Sequence, residues 1–265
     1  QRVLSALADD SLEGRGTGTR GGARAARFIA EEFRRAGLEA VGDSGYFQRV
    51  PIVMRRRQNG RIAAGRVASF AVRDTFPADQ RGIAVNVVGV LRGTDPALKD
   101  SIILVDAHYD HVGIAATPVN GDSIFNGADD DASGVTAVIE IARQMAKGPR
   151  PKRTVLFAAT TGEEVGLIGT RWYIEHAVFP NAMMTANLEI EMIGRPDSLS
   201  GGTGRAWLTG FERSTMGEMF KAAGLPITPD MRPSEQFFQR SDNIAFARMG
   251  IPAHTLSSFN MHTDY

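Results

Sequence analysis

The chain has no cysteine. That absence excludes disulfide frameworks, thiolate metal sites and thiol nucleophiles together, and it leaves His, Asp and Glu as the strong metal ligands. An excess of either charge is also missing. Thirty Lys and Arg stand against 30 Asp and Glu, net zero, so the overall balance offers no attraction to nucleic acid or to an anionic membrane. No apolar run approaches the roughly 20 residues that span a bilayer. The chain begins at Gln1 rather than Met, which points to a trimmed chain whose leader, if it had one, is gone. What is present is 265 residues, 43% of them hydrophobic, enough for the core of one domain.

Four short runs rich in aliphatic and β-branched residues read as strands: 84–91, 101–107, 153–160 and 186–194. Helical patterns fall between and around them. "GARAARFIAEEFRRAG" (22–37) puts Ala26, Ile29 and Phe33 on one face and ends on Gly37, and Val135, Val138, Ala142 and Met145 repeat the spacing. Leu167, Ile168 and Tyr173, and then Met216, Met219 and Phe220, do so again. Strands alternating with helices predict a mostly parallel sheet covered on both faces. Residues 54–82 are basic and weakly patterned, an excursion or edge hairpin within the domain. "GTGTRG" (16–21) has the form G-x-G-x-x-G, but no buried strand precedes it, so it reads as a glycine-rich turn rather than a nucleotide site.

The polar clusters lie where the predicted strands end. "LVDAHYDHVG" (104–113) runs into His108, Asp110 and His111, and loops at the carboxyl ends of parallel strands are where α/β folds assemble sites. His108 suits a metal, with Asp110 orienting a ligand or a catalytic base; a solvated loop is the alternative. "FNGADDDASG" (125–134) holds Asp129, Asp130 and Asp131 side by side, and no Lys or Arg lies between His111 and Arg143. One carboxylate can cap the following helix. The other two call for a cation. Glu163 and Glu164 follow a strand and point different ways, so that one can bind a metal while the other faces its water, or both are simply solvated. Glu189 and Glu191, two apart in an apolar strand, face one side and are costly there unless paired or metal-bound. Together these clusters would converge on one rim and repel one another. Metal ions resolve that repulsion, and hard oxygens with imidazole suit zinc, with manganese or cobalt as alternatives.

"LEGRGTGTRGGARAARFIAEEF", "AHYDHVG", "NGADDDASGV", "TTGEEVGLIG", "EMIGR" and "MHTDY" together resemble the M28 family of metallopeptidases, the co-catalytic zinc aminopeptidases of the bacterial leucyl aminopeptidase type. The resemblance implies a three-layer α/β/α sandwich with a central mixed, mostly parallel sheet of the phosphorylase/hydrolase-like kind. It implies two zinc ions. His108 and Glu191 would bind one, Glu164 the other, and Asp129 would bridge them, followed by a cis peptide between Asp129 and Asp130. Glu163 would be the general base and Asp110 the hydrogen-bonding support of His108. The chain departs from the family pattern twice. Glu191 stands where Asp is usual, and the histidine that usually follows "DY" is missing because the sequence stops at Tyr265. A chain cut short within the motif is expected, with His262 as the substitute ligand otherwise.

The implied activity is hydrolysis of the N-terminal peptide bond of a peptide with a free amine, by an exported enzyme, secreted or periplasmic. Two other functions fit the same fold: a glutaminyl cyclase with one zinc, and a receptor-like binding module without metal. Phe237, Phe238, Phe246 and Met249 are candidates for the apolar walls of a specificity pocket, or for core packing.

Overall fold

The computed structural model describes residues 1–56 and 62–261. His262 and the "DY" pair lie outside the described residues. In chain order the strands are β1 (Glu39–Ala40), β2 (Phe47–Arg56), β3 (Ile62–Arg66), β4 (Arg81–Leu91), β5 (Ile102–His108), β6 (Ile114–Val119), β7 (Asp122–Ile124), β8 (Thr154–Thr160), β9 (Met184–Ile190), β10 (Ala206–Leu208), β11 (Ile227–Pro229) and β12 (Ala253–Ser257). The helices are α1 (Arg2–Leu7), α2 (Arg20–Ala36), α3 (Phe70–Arg73), α4 (Ala132–Lys147), α5 (Ile168–Glu175), α6 (Met216–Ala222) and α7 (Asn243–Ala247).

Ten of the strands form one sheet in the order β11-β10-β12-β9-β5-β8-β4-β2-β3, with β1 alongside β4. The central four, β12, β9, β5 and β8, are parallel. On both flanks the sheet turns antiparallel, at β4 and at β10. This is the mixed α/β sheet expected from the alternating pattern. Among the described residues β6 and β7 pair only with each other, as a hairpin between β5 and α4.

Both faces of the centre are buried. Phe157 and Ala159 of β8 pack with Phe33 of α2 and Ile139 of α4, while Leu156 and Ala158 point the other way, towards Tyr173 of α5 and Phe246 of α7. Alternation along one strand therefore fills two cores, and each wholly buried Phe contributes roughly 1.5–3 kcal/mol. Phe246 is thus core, not pocket wall. α2 ends as its sequence predicts, with Gly37 at a left-handed φ of 82° and its N–H closing on the last turn. Among the described residues no helix is long and apolar enough to cross a membrane.

Strand β9 stops at Ile190, four residues before its hydrophobic pattern does. Met192 adopts a left-handed φ of 49°, and the N–H groups of Met192, Ile193 and Gly194 leave the sheet to donate to Asp131 Oδ1 (3.1 Å), Ser133 Oγ (3.0 Å) and Asp129 Oδ1 (2.7 Å). The acidic turn before α4 thus holds the loop after β9. Close approach makes this possible: a side chain at Gly134 would lie 2.0 Å from the Ile190 carbonyl.

Candidate metal centre

Three of the four parallel strands, β5, β8 and β9, deliver acidic residues or histidines to one edge, as their carboxyl ends predict. β5 carries His108 at its end and leads to Asp110 and His111; β8 leads to Glu163 and Glu164; β9 leads to Glu191. The turn before α4 comes to the same place. Among the described residues two donor groups result, His108 with Asp130 and Glu191, and His111 with Asp130 and Glu164.

The shared carboxylate is that of Asp130, one residue later than the family pattern suggested. Its Oδ1 lies 3.1 Å from His108 Nε2 and its Oδ2 3.9 Å from His111 Nδ1. The cis peptide is likewise shifted and joins Asp130 to Asp131. The physical reason is the work of the neighbouring aspartates. Asp131 is the N-cap of α4, accepting from Gly134 N at 2.9 Å, and both Asp131 and Asp129 accept backbone N–H groups of the β9 loop. The middle side chain alone is left to face the histidines.

His108 is wholly buried. Its Nδ1 faces the Asp110 carbonyl at 3.2 Å, so the free ring position, Nε2, is aimed at Asp130 and, at 3.7 Å, at Glu191 Oε1. His108 Nε2 and Asp130 Oδ1 are buried without a hydrogen-bond partner. Burial opposes a charge on this imidazole, yet the facing carboxylates outweigh it and push His108 well above its ordinary range. The site therefore demands a positive charge between Nε2 and the carboxylates. A dication fits that place with the histidine neutral. The donors, imidazole and carboxylate without sulfur, suit zinc.

In the second group His111 Nδ1 lies 2.7 Å from Glu164 Oε1; Glu164 here and Glu191 in the first group are equally exposed, 21%. Sequence reasoning noticed His111 but gave it no role; only the path of the loop after β5 brings its ring to Glu164.

Glu163 stands beside both groups, in the wall of a cavity it shares with Asp130, Glu164 and Glu191. Burial, reinforced by Glu191, Asp242 and Asp110 against the attraction of His108, pushes its carboxyl up to about 10. Asp110 lies against His108, with a carboxylate oxygen 3.9 Å from Nδ1. Its backbone carbonyl meets His108, while its carboxylate takes the Glu163 N–H at 3.1 Å and the Thr17 hydroxyl at 2.8 Å. Asp110 thus positions the turn that carries Glu163. Glu189 is not part of the centre. Ser241, Thr255 and the N–H groups of Asp242 and Asn243 satisfy it by hydrogen bonds, with no metal needed.

Arg15 was not singled out in the sequence. It is wholly buried beneath the centre, and all five guanidinium N–H donors meet backbone carbonyls: Tyr109, Leu7, Asn126, Gly127 and Asp130, at 2.5–3.3 Å. It ties the histidine loop to the aspartate turn, and its charge faces Asp131, Asp110, Asp130 and Glu164, while burial draws its own pKa down to about 10. Lysine cannot span that fork. Arg15→Lys and Arg15→Met are both expected to lower the unfolding free energy by about 3 kcal/mol or more, since each buried carbonyl left unpaired costs about 1–3 kcal/mol. Urea unfolding of the metal-free protein measures this; a loss under about 1 kcal/mol would show that the carbonyls find other donors.

Known proteins resemble the chain in sequence and in fold. A protein of Pyricularia oryzae named "Probable zinc metalloprotease" is 33% identical over 187 residues, 70% of this chain. The chain spans less than a third, 31%, of that relative's length. Among solved structures, a zinc aminopeptidase from Bacillus subtilis superposes with a TM-score of 0.66 at 15% identity, covering 100% of this chain and 85% of its own. A glutaminyl cyclase from Porphyromonas gingivalis shares the fold at a TM-score of 0.62 and 14% identity, covering 99% and 84%. At such identities the superpositions speak for the fold alone. The profile of "Peptidase family M28" matches residues 86–265, which include both histidines and every carboxylate of the two donor groups: the chain belongs to the M28 family of metallopeptidases.

Proposed function

We propose that the chain is the catalytic domain of a zinc-dependent aminopeptidase that holds two ions. The observation that carries this reading is the division of Asp130, one oxygen towards His108 and the other towards His111. His108, Asp130 and Glu191 would hold one ion; Asp130, Glu164 and His111 would hold the other. Bound zinc supplies a Lewis acid for the scissile carbonyl and lowers the pKa of the attacking water.

The remaining work belongs to the chain. Glu163 takes the proton from the attacking water and returns it to the leaving amine, and a carboxylate raised by burial is suited to holding that proton between the two steps. Asp110 fixes the Glu163 backbone, and Asp129, Ser133 and Asp131 fix the loop of Glu191. A cavity of 180 Å³ lies against Glu163 and Glu191, walled by Trp207, Phe237, Phe259 and Met192. Its size suits the side chain of one terminal residue, held between these apolar side chains and the polar Thr209, Arg240, Thr255 and Ser257. Of the aromatic candidates named from sequence, Phe237 lines it; Phe238 borders a different cavity beside His254.

The test is elemental analysis of the dialysed protein together with assays on peptides that have free or acetylated N-termini. Two zinc ions per chain are expected, falling to about one in His111→Ala, with release of the first residue from free peptides only. Two ions retained in His111→Ala would assign the second nitrogen ligand to another residue. A single ion with cyclisation of N-terminal glutamine would turn the reading to a glutaminyl cyclase, and absence of zinc would remove the hydrolase reading.

A further inference from the structure

A second and larger cavity, 450 Å³, opens on the other flank of the same donors. Glu164 borders both cavities, the larger beside His111 and the smaller beside Glu163 and Glu191. The larger is walled by His111 and Thr17 on the side of the centre, by Ile62 and Ala64 of β3, and by Ile114 of β6.

Three properties of these walls select an occupant. Among the described residues β3 is the last strand of the sheet and pairs only with β2; its outer backbone edge is the kind of surface to which an extended peptide adds. Ile62 and Ile114, from different elements, are 56% and 50% exposed, an uncovered apolar rim on a pocket that already holds polar donors. Third, the described lining contains neither Lys nor Arg; its two acids are already engaged, Glu13 by Arg20 and Glu164 by His111. A free carboxylate one residue past the scissile bond would therefore find no cationic side chain of these walls left to pair with, whereas a longer chain carries its terminal charge out of the cavity.

From these walls we infer that the 450 Å³ cavity binds the part of a peptide that leaves. The substrates are oligopeptides of three or more residues, laid extended between β3 and β6 with apolar side chains against Ile62 and Ile114. Dipeptides are poor substrates. The inference rests on the peptidase reading of the metal centre and extends it from a reaction to a substrate class.

The experiment compares a dipeptide with a tetrapeptide of the same first two residues, followed by apolar ones. The zinc-loaded protein is expected to show a KM about tenfold or more lower for the tetrapeptide, the scale of burying one or two apolar side chains. In the double variant Ile62→Asp, Ile114→Asp that ratio should collapse towards one. Calorimetry of the same two peptides on Glu163→Gln, which removes turnover, reads the groove independently of catalysis. Tetrapeptide binding at least about tenfold tighter than dipeptide binding, lost when Ile62→Asp and Ile114→Asp are added, supports the groove. Equal affinities, or a length preference that survives both substitutions, overturn it. Length-dependent binding with no hydrolysis of any peptide by the wild-type protein would leave the groove standing and overturn the peptidase reading alone.

Discussion

Replacing Glu163 by glutamine is expected to lower kcat by roughly 10²–10⁴-fold, the range of general acid–base catalysis, while zinc content and melting temperature stay at wild-type values. Glutamine has the same shape and keeps an acceptor oxygen, so the cavity of Trp207 and Phe237 is undisturbed. It cannot take a proton at the pH of reaction. The donor groups do not include Glu163, and its backbone N–H goes to Asp110 whatever the side chain, so metal and fold should be indifferent to the change. Its carboxyl in the metal-free protein is pushed up to about 10 by burial and neighbouring anions. Two dications beside it would draw that value down, towards the range in which a base works at neutral pH. Single-turnover kinetics with elemental analysis on the same preparation check both halves. Activity retained within tenfold would take the base away from Glu163; lost zinc would make it a ligand.

Much of this was legible in the sequence, for one physical reason. Strands buried on both faces read as continuous aliphatic runs, so "SIILVDA" and "RTVLFAAT" mark their own carboxyl ends, and in an α/β sheet those ends are where polar residues gather. His108, Glu163, Glu164 and Glu191 come together because each follows such a run. The helix ending at Gly37 was legible for a similarly local reason.

What was not legible depended on loop path. Three adjacent aspartates have no period to rank them. Their division of labour is set by Gly134 letting α4 approach Ile190 and by the N–H groups of Met192, Ile193 and Gly194 turning out of the sheet. One signal was available: an N-cap side chain reaches the third N–H of its helix. Pairing Asp131 with Gly134 in "DDDASG" would have assigned the last aspartate to the cap and shifted attention from Asp129 to its neighbour. Arg15 offered no such signal, because a lone arginine in a glycine-rich turn reads as surface. Its burial is made by carbonyls from three separate stretches of chain, at Leu7, at Tyr109 and from Asn126 onwards, none recognisable as acceptors before folding. Residues 54–82 gave little pattern, and there the edge strand β3 borders the larger cavity.

Asp130→Asn and Asp129→Asn differ by one position and are expected to differ by orders of magnitude. Asparagine at 130 removes the one charge that faces both histidines and places an amide where each donor group has a carboxylate oxygen. Both ions should be weakened together, with zinc after dialysis falling from two per chain to below one. Loss of the several kcal/mol that metal ions contribute to the transition state corresponds to about three orders of magnitude in turnover. Asparagine at 129 keeps an oxygen to accept the Gly194 N–H, now 2.7 Å from Asp129 Oδ1, and its charge faces neither histidine within the donor groups. Loosening the Glu191 loop by that route belongs with outer supporting contacts, whose loss costs roughly 10–100-fold in metal affinity or activity. Zinc titration against a competing chelator, run on both variants, separates the two. Equal losses would mean that the acidic turn acts as one unit, and a greater loss in Asp129→Asn would return the bridging role to the first aspartate and overturn the assignment of Asp130.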